Sequence, residues 1–411
     1  MHKTINYLAT QMIWILTVFL LACFLIFDMY TWGKYAFLLA SVLILFISVV
    51  IDRGIIHFKI GAFQYFMAAF TAIVFFSAAW AISSDDSLIM SRTLFRILLC
   101  FSLVYLYYVR QNSISGLLSA VMWAGYIVAV YSIIFYGLNT VLAATIGANT
   151  RLNSEYSNVN SIGMACALSC LIQFYYLIYR KARLWNAVFA IPAVLMMAAT
   201  QSRKAIVFLI VGILALFVLK NSDNKNFIKG FFRIMFGLAG IIVVFAVLSQ
   251  LEIFSGITQR LTSFLNMFTG DGTVDSSTLK RNDMVSLGLT WWKKHPLLGI
   301  GIANPHIIVA QELGTDAYLH NNFVELLCGG GIIAFVLYYS MYVYLFINLW
   351  RYRRVNKELF CICFVWLLLM LAMDYAMVSY YSKSQWFYLM IQFINVECLK
   401  RRYKEVRNEV Q

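Results

Sequence analysis

Apolar residues run in long blocks along this chain, separated by short polar or basic clusters. Twelve blocks stand out, at about 11–27, 35–51, 60–82, 93–109, 114–136, 161–179, 184–200, 205–219, 230–249, 323–349, 358–378 and 384–398. Most approach the roughly 20 residues that cross a bilayer as a helix, and the last is short and weak. The blocks are continuous, unlike the alternating ten-residue strands of a membrane barrel. Backbone in lipid must satisfy its own hydrogen bonds, which a helix does within one segment. The pattern predicts an all-α integral membrane protein of about twelve transmembrane helices, a single polytopic domain over residues 1–411.

The polar clusters set the expected orientation. Basic residues gather at Arg53 and Lys59, at Arg110, at Arg180, Lys181 and Arg183, at Lys220 to Arg233, and at Arg351 to Lys357. The segment 399–411 adds a basic tail, with Lys400, Arg401, Arg402, Lys404 and Arg407. Alternate connections carry this charge, so the positive-inside rule puts both termini in the cytoplasm. Leu20-Leu21-Ala22-Cys23 resembles a lipoprotein cleavage box, but the apolar run continues through Phe27, which favours a first membrane helix.

Composition agrees. The chain is 62% apolar and 12% charged, with mean hydropathy +0.78, far from a soluble globular average. The net charge of +14 is mostly this topological signal. It does not predict a nucleic-acid partner, because no basic stripe projects into an aqueous loop. The eight cysteines lie in or at the ends of apolar blocks, which reads as buried thiols rather than a disulfide framework.

Two outward connections are long, about 137–160 and 250–322. Loops of that size usually carry function. The second, between helices nine and ten, is the expected large extracytoplasmic loop, and it is partly helical. Asp275-Ser276-Ser277-Thr278 caps a run reaching Trp291-Trp292-Lys293-Lys294. His295-Pro296 then stops it, and Gly299 and Gly301 make a turn. The tryptophans suit the headgroup level.

On this topology, unusual residues converge on the outer face. Arg203 lies in "AATQSRKAIV", Arg281 opens the helical part of the large loop, and His320 and Asn321 stand at the mouth of segment ten. Arg151, Asn158 and Asn160 lie in "RLNSEYSNVN". Alone, each arginine reads as an interface anchor or a solvated residue, and His320 or Asn321 as a cap. Jointly they suit a diphosphate and a hydroxyl. Arginine grips phosphate with two parallel hydrogen bonds, and histidine exchanges protons near neutral pH. No outer Asp/Glu cluster has ligand spacing, so neither metal nor cofactor is expected. Gly329 to Gly331 thin segment ten, which lets a neighbouring helix pack closely. Arg96 and Asp374, inside segments four and eleven, are expected to face the interior or each other.

The order of these motifs resembles the O-antigen ligase and polymerase superfamily of bacterial envelope proteins. Arg281, a Trp-bearing helix, "HPLLGIGIAN" and "HNNFVELLCGGGIIAF" follow its signature. "TQSRKA" is similar to its Thr-x-Ser-Arg stretch, and "NSEYSNVNSIG" to its Asn-Pro-Asn segment, with Val159 in place of proline. The resemblance implies metal-independent glycosyl transfer from undecaprenyl-diphosphate-linked glycans. It assigns Arg203 and Arg281 to the diphosphate and His320 to catalysis, with Arg151, Asn158, Asn160 and Asn321 as substrate contacts. A polysaccharide repeat-unit polymerase of capsule or exopolysaccharide biosynthesis is the preferred reading. A ligase passing glycan to another acceptor such as lipid A-core is the alternative, and a flippase the rival class. The resemblance also implies a bacterial plasma membrane with the active site on its outer face, and membrane lipids, a chain-length regulator and a flippase of the same pathway as partners.

Overall fold

The computed structural model describes residues 2–27, 30–55, 60–112, 114–146, 152, 157–221 and 276–410. These residues are helical with no strand. The helices are α1 (His2–Ile26), α2 (Thr31–Ile51), α3 (Ala62–Ser77), α4 (Ser84–Gln111), α5 (Ser115–Tyr136), α6 (Leu138–Ile146) and α7 (Val159–Tyr179). After a 3-10 stretch (Leu184–Ala190) come α8 (Ile191–Ala199) and α9 (Arg203–Asn221). The last five are α10 (Ser276–Lys294), α11 (Pro305–Leu313), α12 (Asn322–Arg351), α13 (Lys357–Met373) and α14 (Lys383–Val410).

The chain is a multi-pass membrane protein. Among the described residues, seven helices are long and apolar enough to cross a bilayer: α1, α2, α4, α5, α7, α9 and α12. Other blocks of the twelve-segment pattern form helices below that length. Ala62–Ser77 and Leu184–Ala199 are apolar but shorter, and the second begins as a 3-10 turn. The basic tail is not a separate segment but the last turns of α14, which makes that helix polar in its second half. Segment nine (230–249) and the part of the large loop before Ser276, with Asp275, lie outside the described residues.

Contacts divide the chain into two units. The first comprises residues 1–40, 115–273 and 357–366. Here α7 packs on α5, α8 and α9. The α5–α7 contact is close because Gly125 has no side chain: the Ser169 hydroxyl fills the space a Cβ would take. That hydroxyl donates to the Ala165 carbonyl at 3.0 Å. Small residues let membrane helices approach in this way.

The second unit comprises residues 41–114, 274–356 and 367–411. Helix α3 packs on α4 and α12, α14 packs on α4, and α10 packs on α12. Phe70 anchors its core, 5.3 Å from the Tyr338 ring and 5.8 Å from Trp386. All eight cysteines are free and buried.

Arg96 departs from expectation. It is exposed on α4, whereas Asp374 is fully buried. Asp374 takes its partners from α12 and the segment before α14. Its Oδ1 accepts from Ser379 Oγ at 2.5 Å, and its Oδ2 from Tyr339 Oη at 3.1 Å. Asn322 supplies a third, longer donor at 3.4 Å.

Candidate active site

In the second unit the site is built around the start of α12. Asn321 is the N-cap: its side chain accepts from the N–H groups of Phe323 at 3.0 Å and Val324 at 3.2 Å. Asn322 follows, fully buried, and ties the helix start to the α13–α14 connection. Its N–H donates to the Asp374 carbonyl at 2.7 Å, and its Oδ1 accepts from the N–H groups of Ser379 and Tyr380. On the other side of His320, the buried Leu319 donates its N–H to Glu325 Oε2 at 2.8 Å.

His320 therefore lies between two anchored neighbours, with φ +57°. A non-glycine residue in the left-handed region carries strain of roughly 1–3 kcal/mol, which persists only when the surroundings over-determine it. The clamp supplies that determination. It presents a half-exposed imidazole at the helix mouth instead of continuing the helix through it.

Helix α10 brings Arg281 to the same place. Gly288 lies two turns after Arg281, on the same face. A Cβ there would come within 2.5 Å of the Leu319 side chain and 2.8 Å of Val324. Met284, Leu319, Val324 and Cys328 form one apolar cluster that holds α10 against α12. Arg281 is exposed at the N-terminal side of this contact. It acts electrostatically on Tyr318, whose ring centroid is 4.3 Å from that of His320. Burial pushes the Tyr318 phenol above its ordinary pKa, and the Arg281 charge draws it partly back. Arg281, Tyr318, His320 and Asn321 thus form one constellation. Trp291 is held by packing on the cluster and by donating its indole N–H to Glu312 at 2.8 Å.

The glycine run has a role that sequence reasoning did not identify. Among the described residues, the turn after α10 and the start of α11 lie against it. Gly331 has φ +62° and breaks the helix. The break frees the N–H groups of Ile332 and Ile333, which donate to the carbonyls of Pro296 at 2.9 Å and Leu297 at 3.4 Å. One turn earlier, Ile300 donates back to the Cys328 carbonyl at 2.9 Å. Any Cβ at Gly331 would strike Leu297 backbone, and one at Gly299 would come within 2.5 Å of the Gly329 backbone. Glycines are needed because main chain meets main chain. The turn is also fixed to the α3–α4 connection. Asn304, fully buried, accepts from Ser83 N–H and donates to Ser87 Oγ and to two carbonyls.

The first unit holds Arg203, Asn158 and Asn160. Arg203 is the first residue of α9 and half-buried. The three residues before it are buried, and Gln201, with φ +51°, turns the chain and donates to the Ala144 carbonyl. Gly163 admits this turn: a Cβ there would lie 2.6 Å from Thr200 Oγ1. Asn158 is the N-cap of α7, its side chain accepting from Asn160 N–H at 2.9 Å. The Asn158 side chain holds this turn with Val159 as the first residue of the helix. Arg151 lies outside the described residues.

Residues 187–339 match a family model described as O-antigen ligase. This match covers the part of the chain that holds Arg281 and His320. No curated protein matches the chain. The matched segment runs from the 3-10 turn through α10 and α11 to Tyr339 in α12. It contains Arg203, Arg281, His320 and Asn321, and the turn that docks on the glycines. Arg151, Asn158 and Asn160 fall before it. Sequence reasoning passed over Tyr318 and Glu325. Tyr318 stands two residues before the histidine, and Glu325 is an acidic residue inside an apolar helix, which is the signal that was available for it.

Proposed function

We propose that this protein is a polysaccharide polymerase working on the extracytoplasmic face of the plasma membrane. It transfers a growing glycan from undecaprenyl diphosphate to the terminal sugar of a lipid-linked repeat unit. The observation that carries the reading is the strained, clamped His320 beside Tyr318, in the field of Arg281, within a segment similar to the O-antigen ligase family. The acceptor hydroxyl attacks the anomeric carbon of the donor, and the bond to the diphosphate oxygen breaks. His320 orients that hydroxyl and takes its proton. Arg281 neutralises the charge growing on the departing diphosphate, as does Arg203 by its chemistry and its position in the family motif. Inversion at the anomeric carbon follows from a single displacement.

The test replaces His320, Arg281 and Arg203 one at a time in the native strain and measures glycan length on gels. The expected result is loss of long chains with single repeat units still displayed outside. Full-length glycan in all three variants sinks the assignment. Single units trapped inside the cell point to a flippase. Normal chains that fail to reach their final acceptor point to a ligase.

A further inference from the structure

Helix α4 carries two arginines that the proposed reaction does not use. Arg92 and Arg96 are one turn apart on the same face and both are exposed. Their exposed neighbours, Ile89, Phe95 and Leu99, are apolar, as befits a membrane-spanning helix. Among the described residues neither arginine has an ion-pair or hydrogen-bond partner. Charge within a span is costly and marks a site by default. Like charges at this spacing also repel, so helix propensity does not account for the pair.

Depth along the helix narrows the partner. Arg110, at the far end of α4, is paired with Asp52. Along the axis, Arg92 stands about 27 Å and Arg96 about 21 Å from Arg110. The hydrocarbon core is about 30 Å thick. With Arg110 at one boundary, Arg92 reaches the opposite one and Arg96 lies one turn below it, within snorkelling range of the phosphate layer. That end of α4 is bound to the turn of the candidate site: Ser87 Oγ donates to the Ile302 carbonyl at 2.7 Å, and Ser83 N–H to Asn304.

We infer that Arg92 and Arg96 form a docking site for a prenyl diphosphate, separate from Arg281. Two arginines one helical turn apart on one face, with Cβ atoms about 5–6 Å apart, suit two adjacent phosphates, whereas one lipid phosphodiester needs only one. A shared dianion turns their repulsion into attraction, and the apolar residues around them suit the prenyl chain. The inference rests on the polymerase reading, in which two lipid-linked substrates must be held at once.

The test titrates labelled farnesyl diphosphate into the full-length protein in phosphatidylcholine nanodiscs. Wild type is expected to bind two equivalents. The double variant Arg92→Gln, Arg96→Gln loses one and keeps its melting temperature, and Arg281→Gln loses the other. A double variant that binds like wild type overturns the α4 site, as does a single equivalent in wild type. Displacement of the α4 equivalent by phosphatidylglycerol also overturns it, since the arginines would then be generic headgroup anchors. If only the Arg281 equivalent is unaffected by its mutation, the polymerase site assignment fails and the α4 site stands.

Discussion

Leu319 donates its backbone N–H to the Glu325 carboxylate at 2.8 Å, bridging the strained His320 that lies between them. The carboxylate is buried in the first turn of α12. Replacing Glu325 with alanine leaves a buried N–H without its acceptor and costs about 1–3 kcal/mol. Polymer length is expected to fall further than stability does, because the histidine loses its fixed orientation. Glu325→Gln keeps an acceptor and restores most of both. Glycan length on gels, read beside thermal unfolding in detergent, checks the split.

Gly331 admits no side chain. Its φ of +62° and the Leu297 backbone beside it both oppose a Cβ. Gly331→Ala is expected to destabilise by roughly 2 kcal/mol or more. It also undocks the 296–300 turn, so hydrogen exchange at Ile332 and Ile333 quickens. Unchanged exchange there would contradict the docking.

Asp374 gathers donors from Ser379, Tyr339 and Asn322 in a fully buried site. Asp374→Ala leaves those donors unmatched and costs roughly 2–4 kcal/mol. Tyr339→Phe removes one donor and costs about 1 kcal/mol. The double variant should cost less than the sum, since both remove the same contact, and a double-mutant cycle on melting temperature measures that coupling.

Tyr318 links alkaline stability to the site. Burial raises its phenol in the folded state, so folding favours the neutral form. Below the unfolded phenol value near 10 this contributes no pH slope. Above it, the unfolded chain ionises first and stability falls as pH rises. Tyr318→Phe should show a shallower alkaline decline, measured by unfolding at a series of alkaline pH values. Transfer should drop at neutral pH if the ring also orients His320.

The apolar pattern alone makes this chain helical and membrane-spanning, because continuous blocks near bilayer length satisfy their backbone as helices and lack the alternation of barrel strands. The sequence also marked Arg203, Arg281, His320 and Asn321, since their residue types in that order are similar to one family's signature. It did not reveal how His320 is held. The hydrogen bonds from Leu319 to Glu325 and from Asn322 to Asp374 join residues that only folding brings together, and no local pattern encodes them. The glycine run shows the same divide. Three glycines predict a close approach, but whether a helix, a lipid or a turn approaches depends on where 296–302 lies. Arg96 and Asp374 are a third case. Both are charges in apolar blocks, yet tertiary packing buries one among hydroxyl and amide donors and leaves the other exposed. Hydrophobic period and composition fix what must leave water; only the packed chain decides which polar group finds a partner inside.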